Sequence, residues 1–544
     1  MSNSALPSPF LAAALIAPVA MVLAYLFRAL RKRMVSLLWI APVPALVASL
    51  SGSGSPPLVQ YFAPYRVTLE LDAPGAMLLG VSALLWLVAG VYASRYMPCN
   101  SKMGRFVVCW LLTLTGNIGV FITADLASFY LAFALVSIPA YIFVTHDGTS
   151  QAQRAGSVYM ALTLLGEALL LFAFVLLAAA GRSLVVRDCM AALPTSPWRD
   201  ATLVLLIAGF GLKAGLVPLH CWMPLTYTAA PVPAAAVLSG AVVKAGVIGL
   251  IRFLPFGHGL PGFGAGLVTL GLLSAFYGVA IGVTQANPKT VLAYSSVSQM
   301  GLIAAVLGMG LANGDRGAEV AAAFYAAHHV LAKGALFLAI GVVAATGSAR
   351  FWPNLLPAAV LALGLGGLPL TGGAVAKLVV KETLGKGLVG LLATFAAAGS
   401  TLLMLHFLRC LRAAPVGKVG GRAPSGLVMS WLLMAIAAVL VPWVLYFVVP
   451  MGDLSVALAP AALWEALWPI LVGGLLWIGL GRWTQFLPDV PAGDIVVVAE
   501  ACAKASATWG AALEHTETVL RRWPMACLSL LIVAIILGAL MLWG

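Results

Sequence analysis

Eight ionisable residues stand inside or at the edge of long apolar runs: Glu167, Lys213, His220, Lys244, His328, His329, Lys333 and Lys377. A charge at mid-bilayer costs about 3 kcal/mol even on the most lenient scales, so such residues are functional by default. A single one reads as a snorkelling or internally paired group. A series spread along most of the chain reads as a path: Lys, His and Glu bind and release protons, and with water between them they can hand protons along. His329 and Lys333 are four apart, so a helix stacks them on one face as a single relay step. A metal would need a third ligand beside them, and the spacing offers none.

The elements that must hold this series are membrane helices. The chain has 544 residues, 62% hydrophobic and 9% charged, with a mean hydropathy of +1.05. Soluble chains carry about 25% charged residues, so that class is excluded, with disorder, collagen-like repeats and disulfide scaffolds. Apolar runs long enough to span recur from 8–30 to 524–543, without the alternation of barrel strands, which predicts an all-α polytopic protein with about 15 or 16 transmembrane helices. The pair 354–371 and 373–388 is short and interrupted. Residues 484–523 are mixed, and Asp494 is placed to N-cap an amphipathic helix lying on the membrane or on a neighbouring subunit.

The net charge of +13 sits in short loops, which is how charge orients a membrane protein rather than how it grips nucleic acid. Arg28, Arg31, Lys32, Arg33, Arg95, Lys102 and Arg105 flank two loops, with Arg66 alone in the loop between. This predicts a bacterial inner-membrane protein with a periplasmic N-terminus. The first run is long enough to span and lacks the basic start of a signal peptide. Seven scattered cysteines show no ligand spacing for haem, iron–sulfur cluster or zinc, and no residue set specifies nucleotide, flavin or quinone, so no cofactor is expected. Gly215-Leu216-Val217-Pro218-Leu219 after Lys213 is echoed by Gly367-Leu368-Pro369-Leu370 before Lys377. Such matched interruptions in two halves suggest an inverted repeat with broken helices.

Four longer motifs carry a resemblance: LKAGLVPLHCWMPLTYTAAPVPAAAVLSGAVVKAGVIGLIRF (212–253), NPKTVLAYSSVSQMGL (287–302), HHVLAKGALFLAIG (328–341) and GLPLTGGAVAK (367–377). They are similar to the antiporter-like proton-conducting subunits of respiratory complex I, membrane-bound hydrogenases and multisubunit cation/proton antiporters. The resemblance implies two inverted five-helix repeats, each with a broken helix, and a central axis of Lys, His and Glu. It equates Lys213 with the lysine of the first broken helix and Lys244 with the lysine linking two half-channels. His329 and Lys333 match the next relay pair, Lys377 the ionisable residue of the second broken helix, and His220 the histidine of the loop motif. Three positions depart from the family pattern. In FYLAFALVSIPAY (129–141) Ala134 stands where the family has the glutamate that partners the first lysine. Tyr325 replaces a histidine, and Leu225 replaces an aspartate, which favours the hydrogenase-linked branch.

The expected organisation is N-terminal spans and an external loop over 1–99, a conducting core over 100–412 with repeats at about 103–254 and 262–411, further spans over 413–483, the amphipathic helix, and a last span at 524–544. The expected function is translocation of protons or sodium ions by one membrane subunit among others, any redox module belonging to a partner. The competing expectations are a non-pumping scaffold or energy-coupling partner, which Ala134 favours, and a self-contained secondary transporter. With Ala134 in place, Glu167 is expected to supply the missing carboxylate to Lys213, because a lone glutamate in an apolar span is costly without a cation.

Overall fold

The computed structural model describes residues 9–51, 57–62, 65–97, 102–346, 351–413, 423–448, 452–483, 488 and 490–497. Thirteen helical stretches among them are long and apolar enough to cross a membrane, from Arg28–Leu50 to Pro460–Gly481, beside the shorter apolar helices Pro9–Tyr25 and Trp352–Gly366. The architecture is the all-α polytopic one that the apolar runs imply. The expected last span and nearly all of the expected amphipathic helix lie outside the described residues; Asp494–Val497 form a single helical turn.

Among the described residues one hairpin stands apart from the helices. Strands Leu58–Phe62 and Tyr65–Leu69 pair antiparallel, Leu58 opposite Leu69. Their alternating aromatic and β-branched residues suit a pleated surface better than a helix. Thr68 and Glu70 continue the ladder onto the chain that follows the span Met103–Ile122, through Ala124 N to Thr68 O and Glu70 N to Ile122 O, both at 2.8 Å. On the same side Arg252 closes a bidentate pair with Asp72 at 2.9 and 3.1 Å and donates to the carbonyls of Val120 and Thr123. This clamp joins the ends of three spans, satisfying carbonyls that a helix end leaves open.

Three helices make the centre. The central stretches of Val232–Phe253, Pro288–Asn313 and Gly317–Ala345 are buried throughout, whereas the apolar stretch of Pro460–Gly481 is 11% buried and packs on the outside. Their polar side chains must therefore find partners inside the protein, since no face of these stretches meets lipid or water. Backbones approach closely where glycines recur: a Cβ on Gly271 would lie 2.5 Å from Gly301 O, and one on Gly278 2.5 Å from Tyr294 O. Small residues of this kind replace the hydrophobic drive that lipid cannot supply. Toward the first half, Phe129, Phe174 and Phe210 pack around Phe253, with centroids 4.9, 4.9 and 5.5 Å from it. They lock four helices together.

Two spans break midway, and they break alike. Arg199–Ala214 stops at Gly215, whose φ of 78° is left-handed. Leu216 N then reaches back to Gly211 O at 2.9 Å, and Trp222 Nε1 takes the Leu212 carbonyl at 2.9 Å. Phe351–Gly366 stops at Gly367, with φ of 100°, and Leu368 N reaches back to Leu363 O at 3.1 Å. Glycine is the residue that ends a helix this way without strain. At the second break Leu370 also takes a positive φ of 65°, a conformation costing an L-residue about 1–2 kcal/mol.

Candidate functional site

The ionisable series lies along the breaks and the central helices. Lys213 is two residues before the first break and fully enclosed. Its ammonium donates to Ser137 Oγ at 2.7 Å and lies 5.7 and 5.9 Å from the ring centroids of Phe133 and Tyr159. Ser137 donates its own hydroxyl proton to Phe133 O at 2.8 Å, so its lone pair is what faces the lysine. Tyr159 O–H in turn holds the Ser137 carbonyl at 2.7 Å. Ser137 is three residues beyond Ala134 on the same helix face. A hydroxyl one turn beyond Ala134 therefore meets this lysine.

Glu167 is buried on Ser150–Gly181, on the face that also carries Tyr159 and Thr163, each four residues apart. It makes no ion pair within 4.0 Å of Lys213, and its Oε1 has no hydrogen-bond partner in the structure. Its carboxylate lies within electrostatic range of the Lys213 ammonium. His220 sits in the short 3₁₀ turn Leu219–Cys221 after the break, edge-on to Tyr277 at 5.0 Å.

At the centre, Lys244 Nζ and His329 Nδ1 are 2.8 Å apart across two helices, both residues fully buried. Lys244 follows a π turn over Leu238–Val242, where Val243 N bonds Leu238 O, five residues back. The turn is braced from outside: Trp86 Nε1 donates to Asn117 Oδ1 at 2.9 Å, and Asn117 Nδ2 donates to Ala241 O at 3.1 Å. Lys333 does not bond His329; it donates to Leu292 O at 2.8 Å. The same carbonyl accepts from Ser296 Oγ, which lies 3.0 Å from Ser239 Oγ. His329 thus bridges to Lys244 rather than forming a closed pair with Lys333. Its Nε2 has no hydrogen-bond partner.

His328 points elsewhere, since consecutive helical residues diverge by about 100°. It faces the start of Gly372–Leu384, where a Cβ on Gly373 would come 3.1 Å from its Nε2, and Lys377 acts on it electrostatically. Lys377 folds back onto its own broken span and donates to the Gly366 carbonyl. Tyr325, four residues before His329, donates to Gln299 Oε1 at 2.7 Å, and Gln299 Nε2 donates to Ser400 Oγ at 2.9 Å. The phenol and amide thus form a buried polar link between three helices.

The sequence reading missed Ser137, Asn117, Gln299 and the carbonyls of Leu292 and Gly366. A lone Ser or Asn in an apolar run carries no signal of its own, and a backbone carbonyl carries none. Among the described residues no three His, Cys, Asp or Glu side chains gather as a metal site would need.

Residues 123–403 match the family described as NADH:quinone oxidoreductase/Mrp antiporter, transmembrane. The chain belongs to that family. It is 34% identical over 342 residues to an uncharacterised protein of Mycobacterium tuberculosis strain H37Rv, covering 58% of this chain and 53% of that one. It is 29% identical over 303 residues to hydrogenase-4 component B of Escherichia coli K12, covering 53% and 45%. The chain spans about half the length of these curated relatives. A solved Mrp complex from Dietzia superposes with a TM-score of 0.78 at 22% identity, covering 98% of this chain and 62% of that one, a likeness of fold.

Proposed function

We propose that this antiporter-like membrane subunit moves protons along an axis from Glu167 and Lys213 through Lys244, His329, Lys333 and His328 to Lys377. The observation that carries the reading is the buried Lys244–His329 contact at 2.8 Å. Two basic groups packed in a dry centre are costly unless a proton is shared or passed between them. The regions about 103–254 and 262–411 act as the two inverted half-channels of a core spanning 100–412, and Lys244 links them. Sodium is the alternative cargo.

Other membrane subunits would complete the assembly, a redox module among them, as the names of the hydrogenase component and the Mrp complex suggest. Leu225 and the likeness to the hydrogenase component support the hydrogenase-linked branch. The N-terminus lies on the periplasmic side of an inner membrane, as the Lys/Arg bias of the loops requires. A second reading, a non-pumping scaffold, is favoured by Ala134 and by the neutral hydroxyl that meets Lys213.

Flux through the assembled complex in proteoliposomes decides between them. Lys244→Met keeps the aliphatic stem and removes the proton carrier. Transport should fall at least tenfold with assembly intact. Undiminished flux would sink the axis and leave the scaffold.

A further inference from the structure

Two cavities flank the C-terminal end of Gly372–Leu384. One, of about 340 Å³, lies against Leu388–Ala413 and Pro460–Trp483 and reaches Lys377; the other, of about 400 Å³, lies against Tyr446 and Val456. They share Leu378, Lys381, Gly385 and Lys386, so the end of one helix forms a ridge between them. Each is the size of a ligand site, about 300–1,000 Å³. Leu378, Leu391, Ala397, Ala466, Trp468 and Pro469 are among the walls of the first, which would give water few partners. Leu391 in the first and Val456 in the second are also 50% and 51% exposed, so both cavities open on the apolar outer surface of the bundle. Ala374 and Gly385 both line the first, eleven residues apart. That is about 16 Å along a helix, close to the depth of one leaflet in a hydrocarbon core of about 30 Å.

The charges gather at the end of the ridge. Lys381, in the lining of both cavities, is held by Glu465. Among the described residues this leaves Lys386 and Glu382, both exposed, as one unpaired cation and one unpaired anion in the lining of the second. Between them Gly385 ends the helix with a φ of 70°. A Cβ built there or on Gly387 would meet nothing within 4 Å, so the space over the ridge is open.

We propose that the ridge binds a zwitterionic phospholipid with a primary ammonium headgroup, a phosphatidylethanolamine, with one acyl chain in each cavity. Its phosphate accepts from the Lys386 ammonium, and its own ammonium donates to the Glu382 carboxylate. Bilayer hydrocarbon is as apolar as the cavity walls, so the chains alone select nothing and the headgroup decides which lipid stays. A phosphatidylcholine offers the same phosphate, but its trimethylated nitrogen has no N–H for Glu382. A phosphatidylglycerol meets Lys386 and sets no positive group against Glu382. The site stands whatever ion the subunit moves.

The test uses the assembled complex in proteoliposomes and a phosphatidylethanolamine carrying a photoactivatable diazirine on one acyl chain. Crosslinks mapped by mass spectrometry should fall on the cavity wall, between Leu391 and Ala397 or between Ala462 and Pro469. Unlabelled phosphatidylethanolamine should suppress them at least tenfold more effectively than phosphatidylcholine or phosphatidylglycerol. Crosslinks to Leu475, 69% exposed on the outer helix, report bulk lipid and should show no headgroup preference. Glu382→Gln should remove the advantage over phosphatidylcholine, and Lys386→Gln should weaken competition by all three lipids several-fold. Both positions are exposed, so neither variant threatens the fold. Crosslinks at Leu475 with none on the cavity wall mean that packed protein fills the space, and overturn the site. Phosphatidylglycerol competing best would mark an anionic-lipid site, and equal competition by all three an unselective one; either overturns the assignment. A preference unchanged in Glu382→Gln overturns the headgroup contact.

Discussion

Each broken span ends beside a lysine, yet the two lysines keep different company. Lys213 is surrounded: a serine hydroxyl accepts from it, two aromatic rings stand close, and the Glu167 carboxylate acts on it without touching it. Lys377 is held by its own span, through the Gly366 carbonyl, with a cavity at its side. The same backbone break therefore serves two electrostatic designs. In the first, a remote acid can stabilise the ammonium, and the aromatic wall keeps water out. In the second a backbone carbonyl holds the lysine and a cavity opens beside it. The difference teaches that the break fixes where a lysine sits, while the neighbouring helices decide what it does with its proton.

The comparison breaks most severely if Glu167 and Lys213 do not act together. Lys213→Met should cut flux through the complex at least tenfold, and Glu167→Gln nearly as far. The double variant should be little worse than either, because coupled groups are non-additive. Additive losses would mean that Glu167 serves some other part of the molecule. Ser137→Ala should have a smaller effect, a few-fold loss. It removes the lone pair facing Lys213 and costs about 1–3 kcal/mol for a buried donor left unmet. Ser137→Cys, a weaker acceptor of similar size, should fall between; full activity in Ser137→Ala would show that the hydroxyl only fills space.

The smallest effects sharpen the contrast between the breaks. Gly215→Ala and Gly367→Ala both force alanine into left-handed backbone, at about 1 kcal/mol each. A Cβ at Gly215 would strike the flexible end of Met223, at 2.3 Å from Cε, whereas a Cβ at Gly367 would meet Lys377 itself, 3.0 Å from Nζ. Thermal unfolding should report similar losses for both. Flux should fall about twofold or more in Gly367→Ala and stay close to the parent in Gly215→Ala. Equal flux in both would mean that Lys377 has room to give.

Much of this molecule was legible before any coordinates. Apolar run length identified the helices, and Gly215 and Gly367 beside Pro218 and Pro369 marked the two breaks. The cost of a charge in lipid picked out the lysines and histidines of the proposed axis. What composition could not convey was pairing across distance. Lys244 and His329 are 85 positions apart, and nothing in either run says that they meet. His328 and His329 looked like one cluster; helical geometry sends them to different neighbours. Lys381 and Glu465 are 84 positions apart, and only packing of Gly372–Leu384 against Pro460–Trp483 brings them together. The strands at 58–69 passed for a loop because two five-residue segments leave little periodicity to read.

The braced π turn before Lys244 has a consequence for the genetic alphabet of this span. Five residues occupy a turn that an α-helix closes with about four. The segment from Leu238 to Val242 therefore holds one codon more than a plain helix would need. Removing that codon would let an unbroken α-helix form, with every backbone bond satisfied and hydropathy almost unchanged. Everything beyond it would swing by about 100° about the helix axis. Lys244 would turn off His329, Arg252 would turn off Asp72, and Asn117 would face a carbonyl already taken. A one-residue deletion that every hydropathy rule tolerates would thus dismantle the centre and the outer clamp at once, so length within these five residues is constrained more tightly than their chemistry.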